Sequence, residues 1–313
     1  MSLFKDSSTQ NKSDSVFKII ALIAASTILI LMAGIFIELI SSSMPAIKRF
    51  GFGFLFSTDW DPVHQVFGAA SSVFGTLIST FIAMLIAVPT SILIAIFLVE
   101  LAPPVISNFF GAAIQLLAAI PSIIFGMWGL FIFAPFMSGY IQPALANVGG
   151  FLPFFQGAQM GIGILTAGII LAIMVLPFIS AVVKDVFKMV PSVLKESAYG
   201  IGSTLWEVTY NVTIRYGIRG IIGAIFLGLG RAIGETMAVT FIIGNKHAIS
   251  ASVFSPATSI ASTLANEFAE ASEEIYLSAL IELGLILFII SILIQIISQL
   301  WLARIRKTMG KGL

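Results

Sequence analysis

The sequence predicts an all-α integral membrane protein with six transmembrane helices. Hydrophobic residues make up 58% of its 313 residues and charged residues only 10%, whereas a soluble domain averages about 25% charged residues. Six predominantly apolar segments reach the length of roughly 20 residues that a helix needs to cross the hydrocarbon core of a bilayer. These segments are 16–40, 72–99, 109–136, 162–183, 218–243 and 275–302.

The first four segments carry features that must be reconciled with a spanning helix. Segment 16–40 is too long for the core of a signal peptide and lacks a clear cleavage site, so we interpret it as a retained helix. The next three segments contain Pro89, Pro121 and Pro177. Proline is tolerated in spanning helices where neighbouring groups satisfy the freed backbone. All four segments are therefore predicted to cross the membrane.

The basic residues predict the orientation of the six helices. With the N-terminus inside, the inner segments hold twelve Lys and Arg residues, and the outer segments 41–71, 137–161 and 244–274 hold three. Because Lys and Arg accumulate in cytoplasmic loops, both termini are predicted to lie in the cytoplasm. The last outer segment is rich in glutamate, so we expect no anion site there.

The large inner loop, residues 184–217, has the pattern of two short helices. Pro191 begins the first, Gly200 and Gly202 end it, and residues 205–214 form an amphipathic stretch. From the residues alone, two interpretations stay open. The loop is either an interfacial segment along the membrane surface or a rigid lever that docks on another protein.

Three residues of this loop carry a resemblance to a known family. Glu196, Ala198 and Gly202 are similar to the Glu-Ala-Ala loop of ABC-importer permeases, although Arg215 stands where that pattern has its final proline. The resemblance implies the type I ABC importer permease fold. It also implies a coupling helix that fits a cleft in a partner ATPase.

Four longer stretches narrow the resemblance to the PstC-type permeases of phosphate ABC importers. They are AAIPSIIFGMWGLFIFAP, GLGRAIGETMAVTFIIGN, STLANEFAE and ALIELGLILFII. The similarity covers roughly residues 68–302. We accordingly divide the chain into an N-terminal region 1–70, a permease core 71–302 with the coupling loop 184–217, and a cytoplasmic tail 303–313.

The resemblance implies a set of partners and a location. The partners would be a PstA-like permease, two copies of a PstB-like ATPase and an extracytoplasmic phosphate-binding protein, in the inner membrane of a prokaryote. Alternatives are a permease for phosphonate, sulfate or molybdate, or an ATP-independent carrier or channel.

The sequence also predicts what this chain does not do. It has no G-x-x-x-x-G-K-[ST], G-x-S-x-G or H-E-x-x-H motif, so we expect no enzyme activity and no bound cofactor, with ATP and Mg²⁺ held by separate ATPase subunits. His64 and His247 are the only histidines and cysteine is absent, which argues against a metal site. The net charge of +1 does not suggest a nucleic-acid partner.

Arg231 and Glu235 lie inside the predicted fifth helix, near the middle of the membrane. A charge at that depth costs about 3 kcal/mol or more, so it must face protein or water. Residues four apart share one face of a helix. Two hypotheses follow: the pair locks this helix to its neighbours, or Arg231 binds a passing anion with Glu235 as its counter-ion and Thr236 beside them.

Glycines flank these charges. Gly228, Gly230 and Gly234 are predicted to allow close packing of helices, as small residues do in membranes.

Overall fold

A computed structural model describes residues 7–309, and side chains are described for residues 14–304. Within that range, six helices are long and apolar enough to cross a membrane, which confirms the predicted fold class of a multi-pass α-helical membrane protein. The spans are Asp14–Phe50, Ala70–Leu101, Ser122–Gly149, Ile164–Lys188, Leu205–Ile233 and Glu274–Arg304. Lys5 and residues 310–313 of the predicted tail lie outside the described residues.

Several spans combine α-helix with π-helical turns. The π turns cover residues 97–101, 129–133, 137–141 and 209–214. The α-helices are α1 Ser7–Phe50, α2 Gly53–Phe56, α3 Ala70–Ile96, α4 Pro104–Ala118, α5 Ser122–Trp128, α6 Ala134–Phe136, α7 Gln142–Gly149, α8 Ile164–Lys188, α9 Ser192–Gly200, α10 Leu205–Val208, α11 Arg215–Ile233, α12 Met237–Ile242, α13 Ile260–Glu267 and α14 Glu274–Met309.

Helix α8 forms the centre of the bundle. About two thirds of its most apolar window is buried inside the protein, and it packs against both α3 and α11. Glycines allow the close approach on both sides: Gly168 lies against Ile82 of α3, and Gly220 of α11 lies against Val186. In a membrane no hydrophobic force drives helices together, so their association depends on close packing. Small residues at such contacts let the helix backbones approach closely.

The first and last helices form a pair at the side of this bundle. Helices α1 and α14 pack together, with the rings of Phe36 and Phe288 stacked 5.5 Å apart. Ser278 Oγ also accepts a hydrogen bond of 3.0 Å from the backbone nitrogen of Ala46. The rest of α1 exposes apolar side chains, as expected of a helix surrounded by lipid.

The N-terminal ends of α3 and α13, which are predicted to be external, are joined by a buried cluster of hydroxyl groups. Thr76 Oγ1 accepts a hydrogen bond of 2.9 Å from the nitrogen of Ile260, and Ser72 and Thr263 hydroxyls lie 3.1 Å apart. A Cβ atom placed on Gly75 would stand only 1.9 Å from the carbonyl oxygen of Thr258. Only glycine fits there.

The structure corrects the bounds of two predicted helices. The third predicted segment, 109–136, is two helices that separate at Pro121, and the membrane-long unit runs from Ser122 to Gly149. Proline lacks a backbone N–H and disfavours helical geometry in the residue before it. The first helix continues past residue 40 to Phe50, because polar residues lower hydropathy without ending a helix.

The fifth predicted segment is also corrected at both ends. It begins at Leu205, where Thr204 and Glu207 form a capping box, and continues through the π turn 209–214 into α11. The amphipathic stretch 205–214 is therefore part of the fifth span and not a separate surface helix. At the other end, α11 stops at Ile233 and a new helix, α12, begins at Met237.

Candidate functional site

The break between α11 and α12 lies directly beside the predicted site residues. Gly234 ends α11, Glu235 and Thr236 occupy the connection, and Arg231 lies in the last turn of α11. The fifth span as described is Leu205–Ile233, so Arg231 lies near the end of that span and not near its middle, where the sequence predicted it. The shift arises because the span begins earlier, at Leu205, and its helix ends earlier, at Ile233.

Arg231 has no ion pair or hydrogen bond among the described side chains. Its guanidinium carbon lies 5.5 Å from the centre of the Phe178 ring, an arrangement typical of a cation–π contact. The side chain is partly exposed on the surface of the single chain. Its five N–H donors are consequently free to bind a ligand or a partner.

Glu235 does not pair with Arg231, so the predicted contact between residues four apart on one helix is wrong. The helix ends between the two residues, and Glu235 Oε1 instead accepts a hydrogen bond of 3.2 Å from the nitrogen of Ala238. This bond satisfies one of the free N–H groups that begin α12. The side chain remains partly exposed.

Thr236 and Thr240 bond locally. Thr236 Oγ1 lies 3.4 Å from the Gly234 carbonyl oxygen, and Thr240 Oγ1 donates to the carbonyl of Thr236 at 2.7 Å. Thr236 is partly exposed beside the break. It lies in the same connection as Glu235, so the structure brings these two predicted residues together.

The three predicted packing glycines differ in their surroundings. A Cβ on Gly228 would approach Ile179 of α8 within 2.5 Å, whereas one on Gly230 would meet nothing within 4 Å. A Cβ on Gly234 would meet only the Gly230 carbonyl oxygen, at 3.7 Å. Of these three glycines only Gly228 lies against another helix of the described residues, and the face with Gly230 and Gly234 stays open.

The predicted coupling helix is α9, and it has no buried residue. Glu196 is exposed, Ala198 is partly exposed, and Gly202 follows the helix with a φ of +91°. That backbone conformation is rarely adopted by residues with a Cβ atom. Apolar side chains of α9, including Val193 and Leu194, are exposed as well, which leaves an uncovered apolar surface at this end of the bundle.

A charged contact that the sequence does not indicate lies beneath α9. Glu100 Oε1 accepts hydrogen bonds from Lys195 Nζ at 2.6 Å and from Thr213 Oγ1 at 2.9 Å. The only signal in the sequence was a single carboxylate in an otherwise apolar run, 72–101. Its partners lie about a hundred residues further along, too far for any local pattern to indicate.

A second cluster that the sequence does not indicate joins segments that are predicted to be external. Glu267 binds His247 Nε2 at 3.1 Å and Tyr276 Oη at 2.8 Å, and it also accepts from the Trp60 indole nitrogen. The Trp60 ring stacks on His247 with centroids 5.0 Å apart. His247 is therefore used in structural contacts, and the described residues hold no cluster suited to a metal ion.

Glu267 gives this external cluster a predicted pH dependence. Burial raises the pKa of Glu267, but hydrogen bonds from His247, Tyr276 and Trp60 outweigh it and hold the pKa below the ordinary 4.5. A carboxylate whose pKa is lowered by folding stabilises the fold at pH values above its ordinary pKa. This contribution is lost as the pH falls through the pKa of the folded state.

We therefore expect Glu267→Gln to lower the thermal unfolding midpoint near pH 7, with an effect that shrinks as the pH falls below the ordinary pKa of 4.5. Thermal unfolding of both proteins in detergent across this pH range measures this. Glu270→Gln, an exposed carboxylate nearby, is the control. A difference between wild type and Glu267→Gln that stays constant with pH would contradict the assignment.

Relatives with known names resemble the chain over nearly its whole length. No protein-family profile matches it. The protein from Mesorhizobium japonicum named "Phosphate transport system permease protein PstC" is 52% identical over 302 residues, which cover 95% of this chain and 92% of that protein. The protein of the same name from Pasteurella multocida is 54% identical over 288 residues, covering 91% and 90%. A relative from Methanocaldococcus jannaschii, named as a probable PstC, is 36% identical over 93% of this chain and 94% of its own.

Solved structures of ABC transporters share the fold. A bacterial alginate ABC transporter matches 93% of this chain and 94% of its own with a TM-score of 0.60 at 17% identity. The MetNI methionine ABC transporter matches 76% of this chain and 94% of its own with a TM-score of 0.53 at 17% identity. These likenesses confirm the ABC permease fold. Taken with the identity to the named relatives, they show that the chain belongs to the PstC family of phosphate transport system permease proteins.

Proposed function

We propose that the chain is the transmembrane permease subunit of an ATP-driven phosphate importer and that Arg231 binds the phosphate in transit. The observation that carries the proposal is the free guanidinium of Arg231 in the last turn of the fifth span, beside the break between α11 and α12. The names of the relatives at 52% and 54% identity favour phosphate as the anion.

Arginine suits this task chemically. Its planar guanidinium offers donors in a fork that matches two phosphate oxygens at once. An anion site in a transport path must also release its ligand. Glu235, four residues away in the sequence, would supply a competing negative charge beside the passing phosphate, and Thr236 would offer a hydroxyl in the same connection.

The open face around the break supports a two-permease pathway. Gly230 and Gly234 meet no other helix of this chain, and Leu227, Met237 and Phe241 are exposed on neighbouring positions. A PstA-like permease would cover this face, so that Arg231 lies between the two chains. The packing predicted for the two glycines would then involve this second chain.

Coupling to ATP hydrolysis is assigned to α9. Its exposed apolar residues and Glu196 would contact one of two PstB-like ATPase subunits, which also hold the ATP and Mg²⁺. An extracytoplasmic phosphate-binding protein would deliver the anion from outside. The chain itself would be non-catalytic and lie in the inner membrane of a prokaryote, with both termini in the cytoplasm.

The experiment that tests the proposal is uptake of labelled phosphate into proteoliposomes that contain this chain, the paralogous permease, the ATPase and the binding protein. We expect uptake that requires ATP and is not reduced by excess sulfate, molybdate or phosphonate. Competition by one of these anions would indicate a different oxyanion importer. Uptake without ATPase subunits would indicate a carrier or channel.

The coupling role of α9 leads to a prediction for Gly202. Asp at this position adds a charge and a Cβ where φ is +91°, so we expect Gly202→Asp to lose the ATPase on co-purification. Gly51→Asp is a matched control, because Gly51 also has positive φ, +55°, but lies after α1, away from α9. An intact complex with Gly202→Asp would count against α9 as the docking helix.

A further inference from the structure

Glu100 lies where three elements of the bundle meet. It belongs to the π turn 97–101 that ends the second span, and its side chain is only 6% exposed. Lys195 of α9 and Thr213 of the π turn 209–214 both bind the same carboxylate oxygen. One buried carboxylate thus joins the second span, α9 and the base of the fifth span.

The two partners of Glu100 connect it to different helices, Lys195 to α9 and Thr213 to α11. Lys195 precedes Glu196 directly, and of these neighbours Lys195 points inward to the bundle while Glu196 is exposed. Thr213 is fully buried in the π turn that leads directly into α11, the helix that carries Arg231. An α-helix rises 1.5 Å per residue, so Thr213 stands roughly 27 Å below Arg231 along a rigid element.

We propose that Glu100 is a positioning residue that transmits the movement of α9 to α11. When the ATPase subunits displace α9, the contact through Lys195, Glu100 and Thr213 carries that displacement to the helix that ends beside Arg231. Energetic coupling between distant sites travels through packed side chains, ion pairs and rigid helices, and this contact supplies the connection. The inference rests on the proposed function, in which α9 docks on an ATPase.

Because the contact is buried, separating its charges is costly. A buried carboxylate that loses its cation keeps an uncompensated charge, which is far more costly than loss of a surface ion pair. Movement of α9 away from Glu100 is therefore resisted, and α9 and the base of α11 move together with the end of the second span. A surface pair would let the three elements slip past each other.

The first test compares phosphate uptake per ATP hydrolysed in the complete complex. Glu100→Gln and Lys195→Gln should assemble and hydrolyse ATP, but transport about tenfold less phosphate per ATP, because a broken buried pair costs at least that factor. Exchange of the two charges, Glu100→Lys with Lys195→Glu, should restore much of the coupling. Lys188→Gln is the control, since Lys188 is exposed at the end of α8.

A second measurement reports the contact itself. The chain contains no cysteine, so Val105→Cys and Ile201→Cys, at positions 81% and 86% exposed, take spin labels selectively at the start of α4 and the end of α9. We expect the distribution of distances between the two spin labels in the assembled complex to broaden in Glu100→Gln. In the charge-exchange variant the distribution should narrow again.

An unchanged distribution, or uptake per ATP equal to wild type in both single variants, would overturn the proposal. If the charge exchange restores neither the uptake per ATP nor the spin-label distances, Glu100 has only a local structural role. If the wild-type complex transports no phosphate, the proposed function fails, and the spin-label distances still decide whether Glu100 holds α9.

Discussion

Arg231→Gln is expected to reduce phosphate uptake about 100-fold while the complex still assembles. Glutamine keeps an N–H₂ group but loses the charge and the fork of donors. Two charge-assisted hydrogen bonds to phosphate would together contribute about 3 kcal/mol, and that free energy corresponds to about 100-fold in rate. Labelled-phosphate uptake at fixed ATP measures the effect, and co-purification of the subunits reports assembly.

Two control variants separate the roles of charge and geometry. Arg231→Lys keeps the charge without the planar fork and should retain intermediate uptake. Arg219→Gln removes an exposed arginine from the same helix and should transport normally. Normal uptake by Arg231→Gln would mean that Arg231 only packs on Phe178, and the anion site would have to be sought elsewhere.

Gly75→Ala is expected to lower the thermal unfolding midpoint by about 10 °C. The added methyl group would lie 1.9 Å from the carbonyl oxygen of Thr258, and that neighbour is backbone that cannot rotate away. Overpacking of this kind costs about 3 kcal/mol, and a chain of this size shifts by a few degrees per kcal/mol. Thermal unfolding of the purified protein in detergent measures the loss.

Gly34→Ala is the matched control for this prediction. Gly34 also lies within a spanning helix, but a Cβ there meets nothing within 4 Å, so the variant should unfold within about 2 °C of wild type. Equal midpoints for Gly75→Ala and wild type would show that the external end of α3 moves freely away from Thr258. The hydroxyl cluster would then not hold it.

The sequence could predict the membrane helices because hydropathy sums over many residues. Six spans are still recognised when several residues at each end are assigned wrongly, and the short exposed helix α9 follows from Pro191 and Gly202. The break after Ile233 could not be predicted the same way. Apolar residues outnumber Arg231 and Glu235 in the stretch around Gly234, so the mean hydropathy stays high although the backbone hydrogen bonds change partners.

Contacts distant in sequence were beyond prediction for a different reason. Glu100 and Lys195 are each unremarkable alone, one at the end of an apolar run and one in a polar loop. Only the fold brings them within 2.6 Å, by placing α9 against the π turn 209–214 and both beside the π turn 97–101. The same holds for Trp60, which precedes α3, and Glu267, which ends α13, because they are 207 residues apart in the chain and meet only in the fold.

The pairing of α1 with α14 has a consequence for biosynthesis. Roughly 220 residues separate the end of α1 from the start of α14, and ribosomes add about 5–20 residues per second. The first helix therefore lies in the bilayer for about 10–45 s before α14, its neighbour in the fold, is synthesised. Its long apolar surface lets it persist alone in lipid during that interval, so truncated chains that lack α14 should still insert their N-terminal helix.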